Sequence, residues 1–351
     1  MNPALPPEHD PVGTAATAGS GAPGGAEDTN PVGKGMATPQ PAGIGELLGN
    51  GDTVRLQAAA RPQPLGVSLL DRNLGGGVRS GELVLLGGPP GVGKTAMMLQ
   101  WARTVAASGK TAVVVCYEHD VEVLIERLLI QQAAEVPGGE LFAPDAIRAA
   151  APSFLAGAPE QASTGGVLDA ARKELHGLGD NLRLLRGSAV HTDLHALDAL
   201  VSSVREPVLF VDYLQRVAVH PEPPSDAERL IRVVAGLKEL AMAHDLPVIS
   251  AAACDERILD GQRARMHHLR GSGSLAYEAD IALMLNAKRN AVSEVHLAYD
   301  AVKAETFRNH VVLSIEKNRA GPTGIDIEMR SELERYRFDP DAKYVAERMA
   351  D

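Results

Sequence analysis

Apolar positions fall along this chain in short blocks whose spacing predicts strands alternating with helices from about residue 61 onward. TAVVVCY (Thr111–Tyr117) is β-branched and almost without polar breaks, the pattern of a parallel strand buried on both faces. Further strands are expected at Glu82–Leu86, Asn181–Gly187 and Pro207–Leu214. LPVISAA, DIALMLN and HVVLSIEKN give three more, and GIDIEMR opens a last one. Helical periodicity fits Lys94–Ala107 with a stop at Gly109, then Val121–Ala134, Leu194–Val204 and about Ala227–His244. A helical turn is expected near LGVSLLDRN. Residues 136–165, rich in Gly, Pro and Ala, read as a helical excursion. Strands that alternate with helices, each apolar throughout, predict an α/β fold with a mostly parallel sheet flanked by helices.

Residues 1–60 lack this patterning. Pro, Gly, Ala and Thr dominate there, and such a segment buries too little apolar surface to offset the entropy of ordering it. The domain reading is therefore a disordered tail at 1–60, one folded domain at 61–340 and a short C-terminal tail at 341–351. The piece IGELLGN inside the first tail could form a turn of helix against a protein partner, whose nature the sequence does not give.

Composition narrows the chemistry. No apolar run is long enough to span a bilayer, the N-terminus has no secretory pattern, and two cysteines make no disulfide framework, so a cytoplasmic location is expected. A formal net charge of −11 argues against holding nucleic acid by bulk electrostatics, though not against a local basic channel within an assembly. Aromatic residues, at 3%, are too few for a base-stacking platform, so any such contact would go through phosphates.

The most specific segment is GPPGVGKT (Gly88–Thr95), which fits G-x-x-x-x-G-K-[ST] without a mismatch. Its glycines let consecutive backbone N–H groups face an anion, and the helix starting at Lys94 aims its positive end at the same place. Expected ATP contacts are Gly88, Pro89, Pro90, Gly91, Val92, Gly93, Lys94, Thr95 and Ala96. Lys94 would reach the β- and γ-phosphates, and the Thr95 hydroxyl would ligate Mg²⁺. Asp212 closes the run VLFV at the end of a strand, where it suits a hold on the metal; capping the next turn is the bland alternative. Glu118 closes a neighbouring strand and could polarise an attacking water; as a surface acid it would need no explanation.

GPPGVGKT, VVVCYEHDVEVLIERLL, LFVDYLQRV, LRGSGSLAYEADIALML and IEKNRAGPTG, in this order, resemble the ATPase domain of DnaB-type replicative helicases, a RecA-like P-loop fold, over about Leu65 to Phe338. The resemblance implies that Glu118 activates water, that Asp212 is the Walker B acid, and that Lys317 and Arg319 reach into the next subunit's ATP site. It also implies a hexameric ring around single-stranded DNA. Lys317 and Arg319 lie two apart and so share one side of an extended strand, as a solvated pair would too. Two departures stand out. The family carries a globular N-terminal domain where the tail stands here. It also carries Ser-Gln after the strand that ends in PVIS, near Ala252 and Ala253 of this chain. The Gln relays the γ-phosphate state to the channel loop, so its absence bears on unwinding more than on hydrolysis.

Arg257, Arg263, Arg265, His267, His268 and Arg270 form a basic stretch in that loop, with Arg263, Arg265 and Arg270 the expected phosphate contacts. Asp255, Glu256 and Asp260 would balance them in a merely solvated loop. Cys116 reads as a buried strand thiol and Cys254 as a loop residue. Two readings remain open at this point: a ring-forming ATPase motor on single-stranded DNA in replication or repair, and a RecA-like regulatory ATPase that acts on protein partners.

Overall fold

The chain divides into two units, Met1–Gly51 and Asp52–Asp351. The computed structural model describes residues 43–45, 61–157, 164–255, 262–292 and 307–350, so the fold is that of the second unit. Apart from 43–45, the expected N-terminal tail lies outside the described residues.

One ten-stranded sheet organises the unit. Its strands are β1 (Leu83–Gly88), β2 (Thr111–Cys116), β3 (Leu182–Arg186), β4 (Pro207–Asp212) and β5 (Val248–Ala253). They continue with β6 (Ile281–Ala287), β7 (His310–Asn318), β8 (Ile325–Glu332), β9 (Arg337–Phe338) and β10 (Lys343–Tyr344). The order is β10-β8-β7-β6-β1-β5-β4-β2-β3, with β9 beside β8. The six strands from β6 to β3 run parallel. The last four join antiparallel. The expected mostly parallel α/β architecture is what forms.

The helices are α1 (Ser68–Asn73), α2 (Lys94–Ala107), α3 (Val121–Ala133), α4 (Pro144–Leu155) and α5 (Gly165–Gly177). After them come α6 (Leu194–Ser202), α7 (Asp226–Ala243), α8 (Ser272–Glu278) and α9 (Lys288–Ala291). Polar residues set the starts of two of them. Asp193 accepts from the Ala196 amide at 2.9 Å and Ser225 from the Glu228 amide at 3.2 Å, each satisfying a donor that the helix leaves free. One core packs α2 and the start of α3 on one face of the sheet, with Trp101, Leu86 and Phe210 at its centre. A second packs α6 and α7 on the other face, through Leu197, Val234 and Leu237. Covering both faces is what lets β1, β2, β4 and β5 be apolar along their length.

Three expectations change. β3 is not buried throughout, because it stands at the sheet edge with only β2 beside it, and Arg183, Leu185 and Arg186 are exposed. The helical excursion at 136–165 holds α4, and a helix not expected from the sequence, α5, follows it; both pack on α3 through Leu129, Ile147 and Leu168. The segment from 341 is not a loose tail: β10 pairs with β8, and the Ala350 amide donates to the Ala291 carbonyl at 2.8 Å.

Candidate active site

β1 ends at Gly88, and the chain curls through Gly91 and Gly93 before α2 begins. Gly93 is at φ +99, and a Cβ there would come within 2.7 Å of both Leu333 and Phe338, so any other residue would strain the backbone and displace these side chains. Lys94 folds back over the loop, its Nζ donating to the Gly88 and Pro89 carbonyls at 2.8 and 3.0 Å. Burial pulls its pKa down; Cys254, Asp212 and Glu118 act against that. The carbonyls it holds are weak substitutes for a polyanion, so the ammonium is ready to exchange them for phosphate oxygens.

Thr95 Oγ1 donates to Asp212 Oδ2 at 2.6 Å. Asp212 is 3% exposed, and burial pushes its carboxyl up while Thr95 and Lys94 pull it down. A hydroxyl backed by a nearly buried carboxylate is a hard-oxygen donor set, which suits Mg²⁺. Glu118, exposed beyond the end of β2, lines the same cleft of about 450 Å³ together with His119, Arg127, Leu333 and Tyr336. Two wider hollows, each about 590 Å³, lie at Arg330–Arg337 and at Lys110–His244. Neither is lined by the phosphate loop, so size does not mark the site.

Several cleft residues carry no signal in the sequence. The 333–338 turn is pinned onto α2 by Gln100, whose side-chain amide pairs with both the amide and the carbonyl of Phe338 at 2.9 and 2.8 Å. That brings Tyr336 to the cleft, with the Arg127 and Arg148 guanidinium groups 5.1 and 5.4 Å from its ring centre. Arg127 also helps depress the His119 pKa, after burial. Only the helical phase of Arg127, nine residues after Glu118, could have hinted at this. Cys116 is a buried strand thiol as expected. Cys254 is half-buried, and burial pushes its pKa up against the opposing pull of the Lys94 ammonium and the Gly88 amide.

Lys317 and Arg319 do not join this cleft. β7 runs antiparallel to β6, so Lys317 stands opposite Ala282 and Asn318 opposite Ile281, level with the start of β1. Arg319 binds Asp280 at 3.1 Å and the Tyr277 carbonyl at 2.5 Å. Lys317 donates to the carbonyls of Ala276, Tyr277 and Ala279 at the end of α8. Asp280 also accepts from the Leu83 amide and from Lys238, at 2.8 and 2.7 Å. The basic pair therefore sits at the opposite edge of the sheet from the phosphate loop. β1 has six residues, which separates the two edges by about 20 Å at ~3.3 Å per residue.

The basic stretch also looks different in three dimensions. Arg263 is 6% exposed and pairs with Asp326 at 2.6 Å and Ser314 at 3.1 Å, so it is a buried structural cation and not the phosphate contact expected from the sequence. Arg265 is half-buried beside Glu316 at 3.4 Å, and exposed Arg270 pairs with Asp226 at 3.2 Å. Arg257 lies outside the described residues. Among the described residues no cluster of three His, Cys, Asp or Glu side chains that could hold a metal ion occurs. No helix among them is long and apolar enough to cross a membrane.

Comparison with known proteins gives the family and the fold. The AAA domain family matches residues 70–252, and the DnaB-like helicase C terminal domain matches residues 190–339. The replicative DNA helicase DnaB of Treponema pallidum is 25% identical over 279 residues, covering 77% of this chain and 55% of that protein. DnaB of Mycoplasma pneumoniae is 25% identical over 289 residues, covering 76% and 55%. The chain thus spans about half the length of these relatives. The DNA repair protein RadA of Mycobacterium tuberculosis strain CDC 1551 is 48% identical over 58 residues, 16% of this chain and 12% of that protein. A DnaB-like replicative helicase solved for its interactions with primase superposes with a TM-score of 0.63 at 21% identity, covering 85% of this chain and 67% of that one. A separately solved ATPase domain gives 0.67 at 22% identity, covering 85% and 99%. These two likenesses show a shared fold. The chain belongs to the AAA domain family, and its residues 190–339 match the DnaB-like helicase C terminal domain.

Proposed function

We propose that this chain is a Mg²⁺-dependent ATPase that assembles head to tail into a ring, a hexamer as in the resembled helicases, and moves single-stranded DNA in replication or repair. The observation that carries the proposal is the separation of Arg319 from Lys94. One chain holds a phosphate loop at one sheet edge and a basic pair at the other, and only contact between copies brings them together. Lys94 and the loop amides bind the triphosphate. Mg²⁺, held by Thr95 with Asp212 behind it, would draw charge from the phosphate oxygens when bound. Glu118 orients water and accepts its proton, and Arg319 of one copy completes the neighbouring site.

Glu118→Gln is expected to bind ATP normally and to turn it over at least ~100-fold more slowly, since a lost general base costs about that much. Equilibrium nucleotide binding and phosphate release check the two halves separately. A rate within a few-fold of wild type would pass the role to another acid.

The deciding experiment for the motor reading is ATPase rate with and without single-stranded DNA. Stimulation supports it. If DNA neither binds at low salt nor stimulates, the regulatory ATPase becomes the better reading, favoured already by Ala253 at the end of β5 and the acidic net charge. Where DNA binds, removing Arg265 and Arg270 together should flatten the salt dependence by up to about 1.4 units, at ~0.7 per lost phosphate contact. Arg263→Ala should instead lower the melting temperature, because it leaves Asp326 with its buried partner gone.

A further inference from the structure

β5 ends without an amide side chain of its own, because Ala252 and Ala253 close it. An amide arrives from β4 instead. Three residues past Asp212, Gln215 is 6% exposed and turned onto the end of β5. Its Oε1 accepts from the Ala253 amide at 3.1 Å, and its Nε2 donates to the Ala253 carbonyl at 3.4 Å and the Arg270 carbonyl at 3.5 Å. Ala253 and Arg270 are the two limbs of the segment that leaves β5 and returns to α8. The Arg270 amide donates to the Ala253 carbonyl at 3.0 Å, Cys254 bridges Leu269 antiparallel, and the Asp255 amide donates to the His268 carbonyl at 2.8 Å. Gln215 thus clasps the base of a hairpin. Cys254, on the first limb, faces the Gly88 amide and Lys94.

We infer that Gln215 is a positioning residue that transmits the state of the nucleotide cleft to the base of this hairpin. The short turn Tyr213–Leu214–Gln215 ties it to Asp212, which holds Thr95. Its two donor contacts are longer than the usual ~2.7–3.2 Å, so a shift of a few tenths of an ångström at Asp212 tightens or releases them. Ala253 has no side chain with which to do this. The inference deepens the functional reading and rests on it for ATP binding only, not for DNA.

The test is hydrogen exchange at the Asp255 and Arg270 amides, with and without Mg²⁺ and a non-hydrolysable ATP analogue, in the full chain. Wild type should show roughly a tenfold change in exchange on binding. Gln215→Ala and Gln215→Glu should lose that change while keeping analogue affinity. The Glu variant preserves the volume and the acceptor for Ala253 but sets a carboxylate against two carbonyls. A purely structural role would speed exchange equally in both states and leave the bound-to-free ratio intact, which overturns the inference. So would an absent response in wild type. Titration of the analogue tells whether ATP binding, and with it the functional reading, has failed as well.

Discussion

Arg319→Ala is expected to cut ATP turnover by about 10³–10⁵, the usual worth of an arginine finger, while leaving nucleotide binding to a single chain unchanged. The expectation comes from the register of β7, which sets Arg319 beside Asp280 at the start of β1. There it cannot touch the phosphates bound at the end of the same strand. Mixing tests the arrangement. Arg319→Ala and Lys94→Ala proteins should each be nearly inactive, whereas their mixture should regain part of the activity. In the mixture some interfaces join an intact phosphate loop to an intact finger. No recovery in a mixture proven to co-assemble would rule out the shared site. The ion pair with Asp280 gives a control. Lys238 and the Leu83 amide also hold Asp280, so the Arg319 variant should still fold.

Lys94→Ala is expected to abolish ATP binding within the range of an ordinary titration. Lys94 is the loop's only side-chain cation, and among the described residues its hydrogen bonds go to the Gly88 and Pro89 carbonyls. Charge-assisted bonds from an ammonium to phosphate are about twice as strong as neutral ones, and backbone amides alone do not replace them. The variant should fold and melt like wild type, since Ala at the start of α2 is a good helix former. Wild-type affinity in a folded variant would mean that the loop is not the nucleotide site.

The sequence made the phosphate loop legible because its chemistry is local. Eight consecutive residues specify the turn, the helix start and the anion contacts. Asp212 and Glu118 were legible for a related reason, since each follows an apolar strand whose end marks the ligand edge of a parallel sheet. Arg263 was misread because its partners, Asp326 and Ser314, lie 63 and 51 residues further along and no pattern joins them. The edge on which Arg319 stands depends on β7 turning antiparallel, which periodicity alone does not reveal. Tyr336 and Gln215 were missed because each reaches its place through a backbone pairing, with Gln131 holding the Tyr336 carbonyl at 2.5 Å and Gln215 holding Ala253. α5 escaped notice in a Gly- and Ala-rich stretch where composition favours loops.

If Arg319 serves a neighbouring copy, as proposed, the separation of phosphate loop and basic pair across the sheet also sets the symmetry. A contact between opposite edges of two copies is heterologous, so a two-fold dimer cannot satisfy it on both sides. Such contacts either close by rotation or continue as an open filament. In a closed assembly every copy gives one finger and receives one. An open assembly always leaves one terminal site without a finger, whatever its length. Turnover per chain therefore rises with the number of copies in an open form and reaches its ceiling only on closure, so the assembly's own geometry counts its members.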